Sequence, residues 1–61
     1  MLILRKTVWW WSVVDIEEES EEIIGTIESG EFTMLTNKPL MKEELIQIIQ
    51  FMEGLENDMA I

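Results

Sequence analysis

The chain of 61 residues contains neither cysteine nor histidine. Without cysteine no disulfide and no thiolate metal site can form. Without histidine the most common metal ligand and the most common general base are both missing. A domain of this size buries only about 60% of its chain surface and usually needs a disulfide, a metal or a partner chain for stability. The composition therefore predicts one domain, residues 1–61, that holds no cofactor and forms a homodimer.

Basic residues are also scarce, since four Lys and Arg stand against thirteen Asp and Glu, a formal net charge of -9. Nucleic acids and anionic membranes are bound through basic surfaces, so we expect direct binding to neither. No signal-peptide pattern and no apolar run of about 20 residues is present, and the missing cysteine fits a reducing compartment, so we expect a cytoplasmic protein. The acidity permits binding to a basic protein surface, and it also permits a role in solubility alone.

Residues 2–16 are rich in β-branched and aromatic residues and include no proline or glycine. This composition predicts one long strand. Both faces of that strand would be apolar, which indicates that both are covered. Five of the next six residues, 17–22, are glutamates that repel one another, so this segment predicts a solvated turn.

Residues 23–28 and 31–36 predict a β-hairpin around Ser29-Gly30, a two-residue turn signal in which glycine permits positive φ. The turn sets the register of the two strands, because a shift by one residue would move every side chain to the other face. The predicted apolar face consists of Ile23, Ile27, Phe32 and Met34, with Gly25 opposite Met34 and with Ile24 on the other face.

A helix is expected to begin between Pro39 and Lys42, after the break that Pro39 makes in the strand pattern. Glu43 and Glu44 suit the positive end of its dipole. Beyond Glu56 the pattern allows either a continued helix or a loose tail. The predicted fold class is α+β: a three-stranded antiparallel β-meander followed by one C-terminal amphipathic helix. The apolar positions at helical spacing are Leu45, Ile48, Ile49, Phe51, Met52, Leu55 and Met59.

Three consecutive tryptophans are the most informative feature of the sequence. In a strand Trp10 points to one face while Trp9 and Trp11 point to the other, and a single helix covers only one face. At least one indole then lies uncovered, unless all three are core residues of a domain with little interior. Tryptophan is enriched at binding hot spots. We therefore expect an interface, with a second copy or with another protein, made by Trp9, Trp10, Trp11 and Val13.

The glutamates of residues 17–22 form a second candidate surface. They are either a solvated turn or a negatively charged loop that docks on a basic protein groove, including one that normally holds nucleic acid. Catalytic carboxylate pairs need a cleft that separates their environments, and the spacing lacks the glycine-centred pattern of a calcium loop. The sequence thus predicts no enzymatic activity and no metal. The acidic candidates are Glu17, Glu18, Glu19, Glu21 and Glu22.

In its size, its acidity and its lack of catalytic residues, the chain resembles the short acidic proteins that bacteriophages use for host takeover or anti-defence, such as the small inhibitors of the Hachiman system. The resemblance concerns these general properties and no shared motif. It implies an inhibitor or modulator that binds a host protein in the host cytoplasm as a homodimer. Two alternatives stay open: an accessory subunit that docks on a larger assembly through its tryptophan face, and a DNA mimic.

Overall fold

The computed structural model describes residues 1–59. Within that range four strands form one antiparallel sheet in chain order, and one helix follows them. The α+β class and the C-terminal helix are therefore confirmed, whereas the expected number of three strands is wrong. The elements are β1 Leu2–Lys6, β2 Trp11–Ile16, β3 Glu21–Glu28, β4 Glu31–Met34 and α1 Lys42–Met59.

The apolar N-terminal segment forms two strands rather than one, because the chain reverses direction between Thr7 and Trp10. The Thr7 amide and the Thr7 hydroxyl each donate to the carbonyl oxygen of Trp10 at 2.8 Å. The Thr7 hydroxyl oxygen also accepts from the Trp10 amide at 3.0 Å. Among the described residues only Ser29 and Gly30 have positive φ. The first turn therefore needs no glycine or asparagine, and it leaves none of the usual marks in the sequence.

The β3–β4 hairpin has the predicted turn and the predicted register. Ser29 and Gly30 have φ values of 52° and 79°, which suit a two-residue hairpin turn. Ile27 lies opposite Phe32, as expected. The strand before the turn is longer than predicted, since β3 already begins at Glu21. The strand after the turn is shorter than predicted, since β4 ends at Met34 rather than at residue 36.

A β-bulge reverses the side-chain alternation near the start of β3. Val13 lies opposite Gly25 and Val14 opposite Ile23, so Ile24 is an extra residue between the two pairs. Ile24 is completely buried, whereas Ile23 is 52% exposed. The prediction that Ile23 lies on the buried face and Ile24 on the polar face is therefore wrong.

The core lies between α1 and one face of the sheet. Leu45 and Ile49 were expected in the buried helix stripe, but both are about half exposed. The apolar stripe of α1 is thus wider than the part of the helix that packs against the sheet. The buried core consists of Leu2, Val13, Ile24, Ile27 and Ile48, with Leu4, Trp11, Phe32, Leu40, Phe51, Met52 and Leu55 packed against it.

The helix begins at Lys42, inside the predicted range, and runs through the position of Gly54. The side chain of Glu44 accepts a hydrogen bond from the Met41 amide at 2.9 Å, which caps the first turn. The expected packing of Met59 and the end of the chain at residues 60–61 lie outside the residues whose side chains are described. Within residues 1–59 no helix has both the length and the apolar character needed to cross a membrane.

Candidate interaction surface at the hairpin tip

Three exposed apolar residues form the tip of the β1–β2 hairpin. Val8 is 84% exposed, Trp9 is 76% exposed and Trp10 is at the border between exposed and half-buried. Large apolar side chains are usually buried, and a group of them left in solvent marks a contact surface. We call Val8, Trp9 and Trp10 the hairpin tip.

The hairpin tip is held in one conformation by the residue that precedes it. Three hydrogen bonds join Thr7 and Trp10, two of them through the Thr7 hydroxyl. Trp9 is therefore presented on a closed turn, and its own side chain has only two rotatable angles. A contact residue that is already ordered loses little conformational entropy on binding. The turn is thus suited to insert an indole into a complementary pocket.

Trp11 and Val13 lie in β2 rather than in this tip, so the four predicted interface residues do not share one surface. Val13 is completely buried and Trp11 packs against the core. The Lys6 ammonium group lies 5.7 Å from the centre of the Trp11 ring, within range of a cation–π interaction. The strand alternation assumed for the three indoles does not apply, because Trp9 lies in the turn. Val13 has no free surface for a partner.

A cleft of about 330 Å³ lies beside the hairpin tip, between the sheet and the end of the helix. Its ionisable side chains are Lys6 and Glu56, so it offers no pair of carboxylates for acid–base chemistry. No group of metal-ligating side chains occurs among the described residues. Trp11, Ile27 and Leu55 form the apolar part of the cleft. Its lining consists of Lys6, Trp11, Ile27, Ser29, Gly30, Leu55 and Glu56.

The turn between β2 and β3 lies at the end of the sheet opposite the hairpin tip. The six residues of β2 separate the two turns, a distance of about 20 Å. The Glu17 amide donates to the Ser20 carbonyl oxygen at 2.9 Å and closes the turn. The turn prediction is thus confirmed for residues 17–20 and wrong for the next two residues, which begin β3. The exposed carboxylates of this turn are Glu17, Glu18 and Glu19.

Glu21 and Glu22 point to opposite faces of β3 and both have partners within the chain. The Arg5 guanidinium donates two hydrogen bonds to Glu21, at 3.0 and 3.2 Å. These hydrogen bonds, and then the attraction between the two charges, lower the pKa of Glu21 and raise the pKa of Arg5. Glu22 accepts a hydrogen bond from the Thr36 hydroxyl at 3.0 Å. The five predicted acidic residues therefore do not form one continuous free surface.

The Arg5–Glu21 pair gives a pH-dependent contribution to stability. The pKa of Glu21 is lower in the folded than in the unfolded chain, so the contribution is present above the unfolded value of about 4.3 and is lost as the pH falls through the folded pKa. We expect wild type to melt slightly above Glu21→Gln at neutral pH and equally at about pH 2. Thermal unfolding from neutral to acid pH measures this, with Glu18→Gln as the control for net charge. A difference that persists in acid would contradict the assignment.

A buried carboxylate was missed by the sequence reasoning. Asp15 is buried at the end of β2, where it accepts from the Met1 ammonium group at 3.0 Å and lies 3.8 Å from the Lys38 ammonium group. Strand periodicity could have identified it, because Asp15 lies on the same face as Trp11 and Val13. Asp15 therefore joins the Met1 ammonium group and the loop before α1 to the end of β2.

Comparison with known proteins assigns no family. The chain matches no family model, no curated protein and no solved structure. The resemblance to acidic phage proteins therefore stays a prediction, and the function has to be argued from the geometry of the surface.

Proposed function

We propose that the chain is a cytoplasmic, non-enzymatic module that binds another protein through its hairpin tip and thereby inhibits or modulates it. The observation that supports this most directly is the exposure of Trp9, at 76%, on a turn that Thr7 closes with three hydrogen bonds. Trp9 offers a large apolar area, as hot-spot residues do, and its backbone is already closed in a turn, so that less entropy is lost on binding. The partner then needs an apolar pocket wide enough for an indole.

The charge of the chain indicates the charge of the partner surface that surrounds that pocket. The net charge is -9, yet the hairpin tip contains no acidic residue and its nearest charged neighbour in sequence is Lys6. Across the sheet, however, Glu28 lines a cavity together with the hairpin tip. An apolar contact with acidic residues around it fits a partner whose pocket is surrounded by basic residues. Opposite charges outside the central contact accelerate association, so we infer that binding is faster at low salt.

The DNA-mimic alternative has less support than the protein-binding module. A mimic needs free carboxylates at the places of successive phosphates. Glu21 is engaged by Arg5 and Glu22 by Thr36, which leaves only the three glutamates of the β2–β3 turn free among the five candidates. Binding that persists at high salt would exclude a mimic, whose affinity would fall steeply with salt.

Replacing Trp9 with alanine is expected to weaken partner binding by about 2 kcal/mol, or about 30-fold, because the change removes the most exposed indole. The measurement is capture of partners on immobilised chain, followed by titration of the captured protein. Met41→Ala is the matched control, since Met41 is also exposed but precedes the helix, at the far end of the fold. A partner that binds Trp9→Ala as well as wild type, with both chains folded by circular dichroism, would contradict the proposal.

A further inference from the structure

The helix lies nearest to β1 and leaves its other flank uncovered. Among the strands, β1 is the one with which α1 makes its main backbone contacts, and the Gln47 side chain donates to the Leu2 carbonyl oxygen at 3.4 Å. Leu45 and Ile49 are each two residues from Gln47, or about 200° around the helix. They therefore face away from β1, toward the side of the sheet where β4 lies, and both are about half exposed.

The sheet continues this apolar surface below the helix. Met34 lies opposite Gly25 and shares the core-facing side of β4 with Phe32, but Met34 remains exposed. Because the sheet order places β4 at the edge farthest from β1, the uncovered flank of the helix and the exposed side of β4 lie on the same side of the fold, away from β1. We call Met34, Leu45 and Ile49 the apolar strip.

The backbone of β4 leaves two residues free to pair with another strand. The Leu35 amide donates to the Ile24 carbonyl oxygen at 2.9 Å, so Leu35 directs its backbone toward β3. Backbone direction alternates along a strand, which means that Thr33 also faces β3. Phe32 and Met34 therefore direct their amide and carbonyl groups away from the sheet.

Apart from its short length of four residues, the edge formed by β4 lacks the devices that usually prevent strand pairing. Monomeric proteins protect edge strands with lysine, proline, bulges or inward charges. The four residues of β4 include none of these, and their single charge is Glu31 at the start of the strand. The opposite edge differs, because β1 carries Arg5 and Lys6, and the Leu2 carbonyl oxygen is occupied by Gln47. The two edges are thus not equivalent, and β4 is the open one.

We propose that two copies of the chain pair their β4 strands antiparallel about a two-fold axis at Thr33, so that the two four-stranded sheets become continuous. In this register Phe32 lies opposite Met34 of the partner subunit, and Met34 lies opposite Phe32 of the partner subunit. The outward amide groups of these residues then donate hydrogen bonds to the outward carbonyl groups of the other copy, and none of these groups is left without a partner. The Met34 side chains are buried at the same time, and the two apolar strips meet below the two helices.

Charge and strand length favour this register, and they indicate that the strand pairing with β4 comes from a second copy of the chain. An axis at Thr33 places Glu31 opposite Leu35 of the partner subunit, so that the two Glu31 carboxylates stay apart. An axis two positions earlier would place the two Glu31 carboxylates opposite each other, and an axis two positions later would leave Glu31 unpaired. A strand that complements itself in sequence, charge and backbone direction is expected to pair with its own copy. Dimerisation also supplies the additional stabilisation that a small domain without disulfides needs.

This dimer goes beyond the proposed function and does not depend on it. The β4 edge and the hairpin tip are separate surfaces, so both tips remain free after pairing. The tryptophan-mediated homodimer expected from the sequence is thereby replaced by pairing at β4, and each dimer presents two tips to a partner.

Single cysteines test the axis directly, because the chain has no cysteine of its own. Residues opposite each other in a non-hydrogen-bonded antiparallel pair have Cα atoms about 4.5 Å apart, within the range of a disulfide. We expect Thr33→Cys to form a covalent dimer almost completely under mild oxidation. Glu31→Cys is the matched control, since its two copies would lie about 13 Å apart along the strands and should stay monomeric on a non-reducing gel. Equal or faster crosslinking of Glu31→Cys would overturn the register.

Charged substitutions of Thr33 test the axis independently, with the dissociation constant of the dimer measured by sedimentation. Thr33→Lys and Thr33→Glu shift the net charge in opposite directions, yet each places like charges face to face at the axis. Both are expected to raise the dissociation constant of the dimer at least about tenfold, while Trp9→Ala leaves it unchanged. Opposite effects of Lys and Glu, or a wild-type chain that sediments as a monomer at all concentrations, would overturn the proposal. Circular dichroism of each variant confirms that the fold is retained.

Discussion

Replacing Ile24 with alanine is expected to destabilise the protein by about 3–4 kcal/mol, whereas replacing its neighbour Ile23 is expected to cost less than about 1 kcal/mol. The two residues have the same side chain and lie in the same strand, so their β-propensity is matched. They differ in burial, since Ile24 is completely buried and Ile23 is 52% exposed. The difference arises from the bulge, where the change from Val13–Gly25 to Val14–Ile23 pairing leaves Ile24 without a partner in β2.

Urea unfolding of the two alanine variants measures this difference in stability. The midpoint urea concentrations are expected to differ, while the dependence of the unfolding free energy on urea stays the same. A loss of about 3–4 kcal/mol is a large part of the stability of a small domain. Ile24→Val and Ile23→Val are therefore the milder pair if Ile24→Ala does not fold, with about 1 kcal/mol expected for the first. A strand without the bulge would give the reverse order, with the larger loss at Ile23, and that result would show the register of β2 and β3 to be wrong.

Gly25→Ala is expected to destabilise the protein by about 2–4 kcal/mol, because the added methyl group has no room. A Cβ atom at this position would collide with the backbone carbonyl oxygen of Thr33 and lie 2.7 Å from two ring carbons of Phe32. The carbonyl oxygen belongs to the neighbouring strand and cannot move without loss of pairing. The Phe32 ring occupies the space that a side chain at Gly25 would need, so the glycine and the aromatic residue are matched across the hairpin.

The same substitution elsewhere in the chain provides the control. Gly54 lies in the helix, and a Cβ atom there would have nothing within 4 Å. Gly54→Ala is expected to stabilise the protein by about 0.5–1 kcal/mol, since alanine favours the helix. Thermal and urea unfolding of the two variants should therefore shift in opposite directions. A Gly25→Ala chain as stable as wild type would mean that β3 and β4 do not approach as closely as the structure shows.

The parts of the fold that were predictable carry local marks in the sequence. Ser29-Gly30 supplies the positive φ that a two-residue turn needs, and this fixed the register of β3 and β4. Pro39 and the acidic first turn indicated where the helix begins. These signals belong to single residues with restricted conformations, so they are readable without knowledge of the neighbours.

The parts that were missed depend on interactions between residues. The first hairpin turn is closed by Thr7 rather than by a glycine, and threonine is itself enriched in strands. The bulge is a property of how β2 and β3 pair, which neither strand shows alone. The candidate surface shows the same difference. The composition predicted Trp9 and Trp10 as contact residues, and both are exposed. Only the turn geometry could show that Trp11 packs against the core and that Val13 is buried.

The strand order has a consequence for how the chain reaches its native state. Every strand of the sheet pairs only with its neighbours in sequence, and the helix follows after the last strand. Loops of two to four residues close each hairpin, so each pairing step costs little chain entropy. Topologies dominated by such local contacts fold faster than those that join distant segments. A chain with no covalent crosslink can thus assemble its sheet one hairpin at a time, as it leaves the ribosome.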